Sequence, residues 1–221
     1  MAKHSRPTVA RNGPWRKARA VLAGGLVLGI GASMTMAAWT DTEYARGTFS
    51  ASTYNTEASV NGGASYAQAP VGSPATMTFN GTGMSPNTVR YATLFVRTTS
   101  GTTVAGTGNL LSATFSGTGA GTTASFLQGN LRYRAISFTG VATCGSALFT
   151  AAAAGSYLVG NSSTSASMTT APATTTFSLP AAGAAPPAQI CFEVSMVSNA
   201  PSEIQGQTLD VTWPFTSLSV Q

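Results

Sequence analysis

The chain has 221 residues with a formal net charge of +5, and only 8% of its residues are charged against 43% hydrophobic. So few charges exclude a helical bundle, whose solvated faces are usually charged, and the Thr, Ser, Gly and Asn that fill the polar remainder suit pleated surfaces and turns. Its one histidine, His4, and both lysines, Lys3 and Lys17, lie near the N-terminus, which removes imidazole and amine chemistry from the rest of the chain.

The first predicted element is a leader. Lys3, Arg6, Arg11, Arg16, Lys17 and Arg19 precede an apolar, glycine-punctuated run from Ala20 to Trp39, and no acid occurs before Asp41. A basic flank that stays at the anionic cytoplasmic surface, a core that partitions into the bilayer and small residues at its exit are the requirements of a secretory signal peptide. Residues 1–37 are therefore expected to be a signal-peptide helix, and 38–221 a single secreted domain. A permanent membrane anchor is the alternative, because the run is about long enough to span. Gly24, Gly25, Gly29 and Gly31 weaken that alternative, and Thr35-Met36-Ala37-Ala38 supplies a usable cleavage site. Counting from Ala38, five arginines face six acids, so the exported part carries −1. With no basic patch it is not expected to bind nucleic acid, and membrane contact is expected only through the uncleaved leader.

Beyond the leader, period-two alternation predicts an all-β domain. Thr48–Thr56 reads as a strand with Phe49 and Tyr54 as its bulky members, and 75–80 (ATMTFN) places Met77 and Phe79 on one face. Val89–Arg97 is apolar on both faces at its centre, as an inner strand would be. Leu131–Phe138 sets Leu131, Tyr133 and Ala135 opposite Arg132 and Arg134. Gln189–Val197 sets Ile190, Phe192, Val194 and Met196 opposite Cys191, Glu193 and Ser195. Leu209–Phe215 gathers Leu209, Val211, Trp213 and Phe215, and Pro214, lacking an N–H, places that strand at an edge or ends it there. Ala151–Ala154 can start a short helix, and the Ser/Thr/Ala tract Asn161–Thr176 is expected to be a mobile loop. Short strands separated by Gly/Pro turns read as an antiparallel β-sandwich with Greek-key links.

The junction Thr35-Met36-Ala37-Ala38-Trp39-Thr40-Asp41, followed by Gly47-Thr48-Phe49-Ser50-Ala51-Ser52-Thr53-Tyr54-Asn55, resembles the opening of the TasA/camelysin-like exported proteins. Two body stretches are also similar: Met84-Ser85-Pro86-Asn87-Thr88-Val89, in place of a Pro-Gly-Asp turn that opens a strand, and Val211-Thr212-Trp213-Pro214-Phe215-Thr216, in place of the last strand. The chain departs from that pattern at Asn87, in its long Ala/Gly/Thr-rich middle and in its two cysteines. The resemblance implies cleavage between Ala37 and Ala38 by a dedicated ER-type signal peptidase, a jelly-roll form of the sandwich, and a bacterial cell-surface or biofilm-matrix role. It further implies that the new N-terminal segment, with Trp39, Tyr44, Phe49 and Tyr54, adds as a strand to a neighbouring subunit, so that self-assembly gives fibres. The alternative is that this segment folds back as the first strand of its own sandwich.

Cys144 and Cys191 both lie in the exported part, where an even count in an oxidising compartment favours one disulfide. Closing a loop of 47 positions would contribute roughly 4 kcal/mol on the chain-entropy estimate. Two unpaired, buried thiols are the alternative. Without histidine, Ser-His-Asp, Cys-His and His-Glu-x-x-His sites are excluded from the exported part, and no cofactor or metal is expected. Glycoside hydrolysis would need two carboxylates from Asp41, Glu43, Glu57, Glu193, Glu203 and Asp210. Glu193 is read more simply as a solvent-facing strand residue paired with Arg132 or Arg134. The final residues carry neither an apolar tail nor a wall-sorting pattern, so surface retention is expected to be non-covalent. The function expected is that of a non-enzymatic structural protein, secreted to the cell surface or extracellular matrix. A monomeric binding or adhesion module using the loops 117–123 and 161–176 is the alternative, and a carbohydrate-active enzyme a more distant one.

Overall fold

The computed structural model describes residues 14–34, 43, 46–81, 83–150, 155–183 and 186–220, and the side chains of α1 as far as Leu28. The chain divides between Phe49 and Ser50 into two units. The first contains one long helix, α1 (Pro14–Met34). Proline is suited to that first helical position, where its missing N–H has no partner to lose. None of the described helices is long and apolar enough to cross a membrane. A helix is thus present at Pro14–Met34 within the expected segment 1–37; the cleavage residues Ala37 and Ala38 lie outside the described residues.

The second unit is mostly antiparallel β-structure. Its main sheet contains β1 (Thr56–Ser59), β2 (Val89–Thr98), β5 (Leu131–Thr139), β6 (Ser156–Val159) and β9 (Ala188–Met196) in the order β1-β2-β9-β5-β6, and β7 (Ala166–Ser167) also pairs with β5. A second sheet orders β11 (Phe215–Ser219), β3 (Gly106–Leu110) and β8 (Thr176–Leu179) as β11-β3-β8, and β4 (Thr114–Ser116) forms a ribbon with β10 (Asp210–Thr212).

Alternation along β2, β9 and β5 decides what each face of the main sheet buries. On the inner face, Phe192 is flanked in register by Ala92 and Ala135, so two small side chains make room for one large ring. Trp213 then packs on Phe192 with centroids 4.9 Å apart. Leu94, Ile190, Tyr133 and Val194 share that core with Leu110, Phe177 and Leu179 of the second sheet. Two glycines of β3 make room for neighbouring rings: a Cβ at Gly108 would collide with its cross-strand partner Phe177, and one at Gly106 with Tyr54.

Several expectations need correction. Residues 48–55 form no strand; β1 begins at Thr56. Ala75, Met77 and Phe79 are half-buried against the core while Thr76, Thr78 and Asn80 are exposed, so the expected face is correct although this stretch is not a strand. It lacks a continuous ladder partner, its Asn80 N–H alone reaching the Tyr91 carbonyl at 3.1 Å. Segment 161–176, expected to swing free, contains β7, buries Met168 in the core, and receives at the Thr170 carbonyl a hydrogen bond from the Tyr133 hydroxyl at 2.9 Å. The run Leu209–Phe215 is split between β10 and β11 at Trp213-Pro214, where proline cannot continue a ladder; the Pro214 carbonyl instead accepts from the Leu111 N–H at 2.8 Å. The 85–88 turn places Asn87 at φ 67°, a left-handed conformation that asparagine tolerates, and opens β2. Residues 151–154, considered for a helix, lie outside the described residues.

Candidate functional site

The outer face of the main sheet gathers the polar chemistry. Register places Tyr91, Glu193 and Arg134 in one row across β2, β9 and β5, and Thr93, Cys191 and Ile136 in the next. A third row holds Phe95, Gln189 and Phe138. Arg134 grips Glu193 through both ends of its guanidinium, Nε donating to Oε1 at 2.8 Å and Nη2 to Oε2 at 2.7 Å. Its Nη1 donates to the carbonyls of Ser162 at 3.0 Å and Asn161 at 3.1 Å, so that the guanidinium also anchors the 161–176 segment. The Tyr91 hydroxyl donates to Glu193 Oε2 at 3.2 Å.

Glu193 is therefore not the solvent-facing residue expected from alternation: only 6% of it is exposed. The pairing with Arg134 is as read from the sequence. Burying such a pair is tolerable because the fork geometry satisfies both partners at once. Burial raises the Tyr91 hydroxyl above its ordinary pKa, and the adjacent Glu193 charge and the hydrogen bond to it add to the shift. Tyr157 is also raised, chiefly by burial.

Residues 141–149 cover this face. Cys144 and Cys191 are joined as a disulfide with Cα atoms 5.5 Å apart, so the loop is tied to the central strand β9. Cys144 Sγ rests 3.2 Å from the Ala92 carbonyl oxygen, a contact without a hydrogen to share. Gln189 makes a two-point clasp, accepting from the Ala142 N–H and donating to the Ala142 carbonyl, each at 2.7 Å. Phe149 then inserts its ring between Tyr91 and Tyr157, with centroids 6.1 and 6.3 Å away, and the Arg134 guanidinium carbon lies 4.8 Å from its centroid. Together with Ile136 and Cys191, Phe149 makes a second, smaller core separate from the inner one.

Of the expected assembly residues, Phe49 and Tyr54 lie among the described residues. Trp39 and Tyr44 lie outside the described residues. Phe49 is 96% exposed, within the irregular stretch 46–55. Tyr54 is half-buried over Gly106. Around it the chain docks on its own body: Thr53 N–H donates to Thr103 Oγ1 at 3.0 Å, and Asn55 N–H to Thr102 Oγ1 at 3.1 Å. The Thr99 and Thr103 N–H groups return bonds to the Asn55 and Thr53 carbonyls, both at 3.0 Å. Residues 53–55 thus dock on the body of their own unit, although not as the first strand that the alternative expected.

Among the described residues, no group of three His, Cys, Asp or Glu side chains could hold a metal ion. Phe149, Tyr157 and Gln189 were not singled out from the sequence. The signal for the Tyr91–Glu193–Arg134 row was present in the alternation of three separate strands, but only the register aligns them. Compared with known proteins, the chain matches no family model and no curated protein.

Proposed function

We propose that this protein is an exported, non-enzymatic structural protein of the cell surface or extracellular matrix, built as a β-sandwich of jelly-roll type and assembling by strand addition. The observation that carries the proposal is the exposed stretch 46–52, with Phe49 at 96% exposure, immediately before the chain docks at Thr53–Asn55. An exposed, mostly uncharged stretch next to a fixed anchor suits donation of backbone hydrogen bonds to a neighbour's sheet edge. The likeness of the leader junction to TasA-like exported proteins points the same way. A core shared by the inner faces of the two larger sheets supports the sandwich, and the disulfide supports an oxidising destination. Glu193 favours a structural role, because its carboxylate is neutralised by a bidentate arginine rather than held ready for proton transfer.

Export is tested by N-terminal sequencing of the protein recovered outside a bacterial host expressing the full chain. A start at Ala38 is expected from processing by the ER-type peptidase; recovery only in membranes with Lys3–Arg19 retained would contradict it. Strand donation is tested by deleting Ala38–Ser52, which removes Phe49 and leaves the Thr53–Asn55 anchor, from the exported form. Loss of filaments is expected, and unchanged assembly would refute donation by this segment.

A further inference from the structure

We propose that the Cys144–Cys191 disulfide is a redox latch on the 141–149 cover: a dithiol reductant releases the cover and uncovers the Tyr91–Glu193–Arg134 row while both larger sheets stay folded. Three observations carry this. First, the bond contributes to the small outer core of Ile136, Phe149 and Cys191, whereas Phe192, Tyr133, Ile190 and the facing sheet residues close a separate inner core without it. Second, Phe149 is the one residue of the cover that is fully buried; Val141, Thr143, Ser146 and Ala147 are exposed. Apart from the disulfide, the cover is held by the Gln189 clasp on Ala142, by a long hydrogen bond from Arg134 Nη1 to the Phe149 carbonyl at 3.4 Å, and by the seating of Phe149 with the partly buried Leu148. Segments with few buried contacts open at lower cost than the core they rest on. Third, the two sulfurs differ in access: Cys191 is fully buried at the sheet centre and Cys144 only half-buried.

That asymmetry sets the direction of exchange. A thiolate of the dithiol attacks Cys144 Sγ, the S–S bond breaks, and Cys191 leaves as a thiolate that takes up a proton. The reagent's second thiol then attacks its own sulfur in the mixed disulfide, closing the reagent's disulfide and releasing Cys144, which is protonated in turn. Two electrons and two protons pass from dithiol to protein. Cys191 remains fixed on β9 while Cys144 departs with the cover. The reductant is thus any extracellular dithiol that reaches Cys144, and reoxidation restores the latch.

The test uses the full chain, purified oxidised and then treated with dithiothreitol under native conditions until two thiols titrate. Chymotrypsin cleavage after Leu148 and Phe149 is mapped by mass spectrometry, with cleavage after the exposed Phe49 as internal reference. Reduction is expected to raise cleavage at Leu148 and Phe149 by about tenfold or more relative to Phe49, with the far-ultraviolet β-signal retained. The Cys144→Ser variant is expected to match the reduced rate without dithiol. Unchanged cleavage after full reduction would mean that the clasp and Phe149 hold the cover unaided. Loss of the β-signal on reduction would make the bond a staple of the whole fold. Either result overturns the latch.

Discussion

The two faces of the main sheet are built from alternate residues of the same three strands, yet they are closed by different means. On the inner face, Phe192 sits between Ala92 and Ala135 under Trp213, and hydrocarbon from a second sheet completes the seal. On the outer face, one row is a tyrosine, a glutamate and an arginine, the next holds a cysteine, and a loop stitched down by a disulfide, a glutamine clasp and one phenylalanine completes it. The inner solution is apolar and needs close fit; the outer one needs partners. A side chain removed from the inner face leaves a void, whereas one removed from the outer face leaves a buried charge or an untied loop.

The most damaging substitution lies at the centre of the inner face. Phe192→Ala is expected to cost about 3–5 kcal/mol, read as a lower urea midpoint; a change below about 1 kcal/mol would mean that the core collapses to refill the site. On the outer face, Glu193→Ala strands the Arg134 guanidinium in a buried position and is expected to cost about 3 kcal/mol. The double variant Glu193→Leu with Arg134→Met is expected to recover most of that loss, a recovery that no partner substitution can provide for Phe192. Equal losses in single and double variants would assign the effect to shape rather than charge.

Alkaline pH titrates tyrosines on both faces, Tyr91 and Tyr157 on the outer one and Tyr133 on the inner one, and a Tyr133 variant separates the inner contribution. Burial pushes Tyr133 up to about 12 from an ordinary value of 10.0. Its neutral form is therefore favoured in the folded protein, and the stability this contributes is complete below pH about 10 and lost progressively as pH rises from there towards about 12, a loss of about 3 kcal/mol at most. Tyr133→Phe is expected to flatten that part of the pH profile, at a cost of about 1 kcal/mol for the bond to the Thr170 carbonyl. A profile as steep in the variant as in the parent would locate the titration elsewhere. Gly108→Ala, which pushes a methyl into the Phe177 ring, should cost about 1–3 kcal/mol in the same urea measurement.

Sequence pattern made the long strands legible: β5 and β9 alternate apolar residues for the inner face with polar ones for the outer face, and β2 is apolar on both faces at its centre. The separation of Ile190, Phe192, Val194 and Met196 from Cys191 and Glu193 was readable residue by residue. Alternation does not carry register, so nothing in the sequence aligned Tyr91 with Glu193 and Arg134. It also does not distinguish a strand from an extended segment with one half-buried face, which is why 75–80 was assigned the correct face and the wrong element. Composition misled at 161–176: Ser, Thr and Ala suggested freedom, but a single Met168 in the core and a tyrosine bond at Thr170 tie the segment down. The cover at 141–149 is similarly plain in composition, and only Cys144 marked it.

Negative-stain electron microscopy of the protein beginning at Ala38, imaged over a range of concentrations, tests the central functional claim most directly. Regular filaments that lengthen with concentration and are lost when Ala38–Ser52 is removed are the predicted result. Monodisperse particles at every concentration would contradict it and favour a monomeric secreted binding module on the same β-framework.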